Sequence, residues 1–76
     1  MILPTKHVSL DHSLLGAGAV MLRILAEPAT PSKLWDRVKG SPQVGGYGRY
    51  VLTLDMLYAL GAIDFVDGLL VRTNNL

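Results

Sequence analysis

The chain has 76 residues, half of them apolar, with no cysteine, two histidines, and seven Lys and Arg against six Asp and Glu, a formal charge of +1. A chain of this length is expected to form one small domain, here residues 1–76, and such a domain buries only about 60% of the surface it exposes on unfolding. The missing cysteines exclude a disulfide framework, and so few cations make it hard to meet the roughly 6–10 phosphates that a good DNA binder engages.

Residues 1–10 hold Ile2, Leu3, Pro4 and Val8. The proline and the short length favour an extended arm or edge strand over a helix. They show neither the basic start nor the cleavage site of a signal peptide. The longest weakly charged stretch, Leu14 to Leu22, falls far short of the roughly 20 residues that span a bilayer. The chain is therefore expected in the cytoplasm, with no membrane contact.

The three helices are expected within residues 11–60. Asp11 offers an N-cap for a first helix that runs to about residue 26, where Glu27-Pro28 ends it. At about 100° per residue, Leu14, Leu15, Ala17, Gly18, Met21, Leu22, Ile24 and Leu25 cover roughly 200° of its surface. Such a helix calls for contact on more than one side. Thr30-Pro31 starts a second helix: the threonine oxygen caps free N–H groups, and proline at the first position has no N–H to waste. Its apolar side is Leu34, Trp35 and Val38, with Gly40 as the expected left-handed terminator. Lys33, Asp36, Arg37 and Lys39 face outward.

The glycine- and proline-rich segment 41–48 reads as a flexible linker into a third helix over about 48–60, stopped by Gly61. Gly45-Gly46-Tyr47-Gly48 precedes a helix start, where anions can bind, but it lacks the lysine and hydroxyl of a phosphate loop. Ala62 to Val66 and Leu69 to Thr73 are β-favouring runs joined by Asp67-Gly68, the dipeptide of a two-residue type I′ hairpin. The register then pairs Val66 with Leu69, Phe65 with Leu70, Asp64 with Val71 and Ile63 with Arg72. Three helices followed by a hairpin wing over 62–73 define a mainly α fold, the winged helix-turn-helix.

Catalytic and metal constellations are weak. Asp11-His12-Ser13 holds the residue types of a hydrolytic triad, but consecutive helical positions point about 100° apart. His7 and His12 lack further closely spaced ligands. No catalytic residue, metal or cofactor is expected, and the chain reads as a non-enzyme.

The third helix carries more information. Tyr50, Leu54, Leu57 and Tyr58 form the natural core side. Leu52, Met56 and Ala59 form a second apolar stripe, with Leu60 close by, interrupted by Arg49, Thr53 and Asp55. Base reading needs Arg, Lys, Asn or Gln on the exposed side, and after Arg49 there is none. The wing carries Asp64 and Asp67 near its tip and a single Arg72 at its base. Leu52, Met56, Ala59, Leu60, Phe65 and Leu70 are thus candidate protein-docking residues. The alternative is a winged-helix DNA-binding transcriptional regulator using Lys33, Arg37, Lys39 and Arg49.

Four segments together, Ile2-Leu-Pro-Thr-Lys-His7, Ser13-Leu-Leu-Gly16, Leu34-Trp-Asp-Arg37 and Leu54-Asp-Met-Leu-Tyr-Ala-Leu-Gly-Ala-Ile63, carry a resemblance. In order and spacing the chain resembles the small middle-component proteins of bacterial ABC-three-component systems, from Ile2 to about Leu70. The resemblance implies a non-catalytic adaptor subunit whose partners are a coiled-coil ABC ATPase and/or an effector protein. It also implies a role in conflict with phages, plasmids or other foreign DNA. Small winged-helix domains serve related ATPases as accessory subunits, often as dimers, so a homodimer is a further expectation by analogy of fold.

Overall fold

The computed structural model describes residues 13–73. Its elements in chain order are α1 (Leu14–Ile24), α2 (Pro31–Val38), α3 (Tyr47–Ala59), β1 (Ile63–Val66) and β2 (Leu69–Arg72). This is the expected winged-helix layout. The arm expected over residues 1–10 lies outside the described residues.

Helix α1 is capped by Ser13, where the sequence pointed to Asp11. Ser13 is extended at φ −86° and ψ 161°, and its Oγ accepts the Gly16 N–H at 3.0 Å. A serine directly before the apolar run satisfies a first-turn donor and sets the start of the helix at Leu14. The helix also stops earlier than expected: Leu25 leaves helical space at ψ 50°, while its N–H still reaches the Met21 carbonyl at 2.8 Å. The departure leaves the Leu25 side chain buried in the core.

Helix α2 starts as the sequence dictates, with Pro31 in the first turn and Thr30 Oγ1 accepting the Lys33 N–H at 3.2 Å. Gly40 is not its left-handed terminator, because the glycines with positive φ are Gly45, Gly61 and Gly68. The chain instead leaves α2 through a right-handed Lys39, and the Ser41 N–H donates to the Val38 carbonyl at 2.8 Å. The following segment is a packed turn, not a linker: Val44 is fully buried, and the Gly45 N–H donates to Ser41 O at 3.1 Å. Gly46 is the N-cap of α3, so Tyr47 and Gly48 are already helical.

Gly61, at φ 78°, ends α3 in the left-handed conformation that glycine adopts most readily. The wing turns at Asp67 (φ 53°) and Gly68 (φ 80°), and its register is the one the dipeptide sets, from Ile63 opposite Arg72 to Val66 opposite Leu69. Thr73 closes the base, its Oγ1 donating to Gly61 O and its N–H to Ala62 O.

One pairing has no local signal in the sequence. Ala29, between α1 and α2, exchanges both main-chain bonds with Leu70, at 3.1 and 2.7 Å. Strand β2 therefore lies between β1 and this single-residue bridge, which ties the wing back onto the helices. The core is filled from every element: Met21 and Leu25, Leu34 and Val38, Val44, Tyr50 and Leu57, Ile63 and Leu70. Helices α1 and α3 touch closely at Gly18, where a Cβ would stand 3.1 Å from both Leu57 Cδ2 and Met56 Cε.

Candidate functional site

Around α3, Tyr50, Thr53 and Leu57 share one side and are buried. Thr53 was expected on the exposed face. Its spacing from Tyr50 and Leu57 puts it inward, and its hydroxyl is satisfied by donating to Arg49 O at 2.7 Å. Opposite this side, at about 100° per residue, stands exposed Asp55. Leu52 and Ala59 lie on one flank of it, Val51 and Tyr58 on the other.

Leu52 and Leu60 are 58% and 57% exposed, and Ala59 is exposed beside them. Two other candidates are placed differently from expectation. Met56 is half-buried, its methyl lying over Gly18. Leu70 is only 4% exposed. Bridged to Ala29 and turned into the core, it is not part of a free wing face.

Tyr58, expected in the core, is 59% exposed and Phe65 is 50% exposed. They stand on either side of a groove of about 330 Å³ between α3 and the wing. Leu54, Asp55 and Pro31 complete its rim, over Ile63 and Leu70. Tyr58 was missed as a surface residue, whereas Leu54 stays packed against the core as expected and only borders the groove. Their spacing of four is that of any apolar stripe, and only the wing's position decides which part of it is covered.

The candidate cations do not gather on this side. Lys33, Arg37 and Lys39 are exposed on α2, where Lys39 Nζ lies 3.4 Å from Asp36 Oδ1. Arg49 is half-buried and bound to main chain: Nε donates to Gln43 O at 3.1 Å and Nη2 to Ser13 O at 2.8 Å. It joins the starts of α1 and α3 to the turn between α2 and α3. Residues 50–71 contain three aspartates and no Lys or Arg.

Trp35 is half-buried against the core and packs with Tyr47 and Tyr50, at ring-centroid distances of 5.2 and 5.1 Å. The cluster joins α2 to the start of α3. The Tyr50 hydroxyl donates to Pro31 O at 2.6 Å. Burial, with Tyr47 adding to it, pushes its pKa up to about 12.

Ser13 caps α1, while Asp11, His12 and His7 lie outside the described residues. Among the described residues, no group of three or more His, Cys, Asp or Glu comes together to hold a metal, and no helix is long and apolar enough to cross a membrane.

Fold and surface together define a winged-helix-like domain whose third helix and wing are apolar and acidic. The family model of the ABC-three component (ABC-3C) system Middle Component 6 matches residues 3–74. The chain belongs to this family. Neither the curated proteins nor the solved structures give a match.

Proposed function

We propose that this chain is a non-catalytic adaptor, which docks by apolar contacts from α3 and the wing onto the coiled-coil ABC ATPase or the effector of its system. Its setting is the bacterial cytoplasm, and the assembly acts against phages and other foreign DNA. The observation that carries the reading is the surface formed by residues 50–71: Leu52, Tyr58, Leu60, Phe65 and Val66 stand exposed, with no cation among them. Large apolar side chains grouped on a small surface mark protein contacts. A nucleic-acid contact needs cations there for phosphates and polar side chains for bases.

The test is co-expression with the ABC ATPase and the effector of its system, followed by solution mass from light scattering. A heteromeric complex is expected that survives high salt, since apolar contacts are not screened. Leu52→Glu with Leu60→Lys is expected to abolish it while Trp35 fluorescence stays native. Absence of any complex, together with a DNA shift that falls steeply with salt, would instead establish the regulator.

A further inference from the structure

We propose that the groove between α3 and the wing is a docking site for an amphipathic helix of a partner protein, one that presents apolar anchors and a Lys or Arg to meet Asp55. The proposal rests on the protein-docking reading above and names the chemistry of the partner. Leu54 and Tyr58, one turn apart on α3, form one wall, Phe65 forms the other, and Ile63 and Leu70 form the floor. At about 330 Å³ the groove sits near the lower end of the roughly 300–1,000 Å³ of ligand pockets. That size suits the anchoring side chains of a helix laid across it.

Charge selects among occupants. Asp55 is the charged residue of the lining, and Asp67 stands at the wing tip near Phe65. A carboxylate at the edge of an apolar surface favours a cation on the incoming segment and opposes phosphates or acidic peptides.

Main-chain geometry selects a helix over a strand. Leu70 exchanges its bonds with Ala29, so Phe65, its partner across the hairpin, turns its N–H toward the free edge of β1. That N–H is already taken by Asp64 Oδ1 at 2.7 Å. A strand added at this edge would first have to displace Asp64, whereas a helix in a groove uses side chains and needs no main-chain donor.

The experiment titrates the full chain, ¹⁵N-labelled, with overlapping helix-length synthetic peptides that tile the ABC ATPase and the effector. Peptides that bind are expected to carry Lys or Arg among apolar anchors and to shift the amides around Leu54, Tyr58 and Phe65. Asp55→Lys and Tyr58→Ala are each expected to weaken binding about tenfold or more. A Lys→Glu change in the peptide should restore binding to the Asp55→Lys chain, and Arg37→Gln, on exposed α2 outside the groove lining, should leave the affinity unchanged. Shifts centred on Leu52 and Ala59, or an affinity indifferent to Asp55→Lys, overturn the proposal. If no peptide binds while the intact proteins form a complex, the groove site fails and the adaptor reading stands; if the intact proteins form none, both fail.

Discussion

Tyr50 is fully buried, and its hydroxyl donates to the Pro31 carbonyl. Losing such a bond costs about 1 kcal/mol, so Tyr50→Phe is expected to lower the unfolding free energy by that amount, read as a lower urea midpoint with the slope unchanged. The same phenol makes stability depend on alkaline pH. Its folded pKa, about 12, lies above the ordinary value of 10.0. Its contribution is therefore intact below pH 10 and is lost as pH rises through 12, to about 2–3 kcal/mol in all. Tyr50→Phe should remove this part of the decline, which Trp35 fluorescence in urea at stepped pH will show. Gly61 offers a purely main-chain test. A Cβ there meets nothing within 4 Å, but φ is 78°, so Gly61→Ala should destabilise by about 1–2 kcal/mol from backbone strain alone.

At the scale of elements, the α1–α3 contact depends on Gly18. A Cβ at that position comes within 3.1 Å of Leu57 Cδ2 and Met56 Cε. The flexible Met56 can yield to one methyl, but a branched side chain would push the helices apart. Gly18→Val is expected to cost about 1–3 kcal/mol in urea unfolding. The wing is stabilised differently, by a turn dipeptide at its tip, by Thr73 at its base and by the Ala29 bridge to Leu70 along the edge of β2. Helix α3 has apolar residues around most of its circumference. Core contacts take the Tyr50–Thr53–Leu57 side and leave two uncovered flanks separated by Asp55.

Across the whole molecule, exposed Lys33, Arg37 and Lys39 gather around α2 with Asp36 among them, while Asp55, Asp64 and Asp67 stand on α3 and toward the wing tip, with Arg72 at the wing base. Because Leu52 and Leu60 already face solvent, Leu52→Glu with Leu60→Lys should change the stability of the isolated chain by no more than about 1 kcal/mol. A larger loss of urea stability would mean that these residues are covered within the chain itself. Much of the architecture was legible in the sequence. Thr30-Pro31, Gly61 and Asp67-Gly68 each fix their backbone within a few residues, so the α2 start, the α3 stop and the wing register need no information from elsewhere. The apolar, cation-free run over residues 50–71 was equally plain and already favoured a protein partner over DNA. Tertiary structure decided how the apolar residues were divided. Leu70 and Thr53 went to the core and Tyr58 to the surface, because where a helix is apolar nearly all round, burial is set by the neighbours that arrive. Those neighbours, Ala29 paired with Leu70 far along the chain and Phe65 brought beside Tyr58 by the turn after α3, come from the folded arrangement, which the periodicity of a single element does not encode.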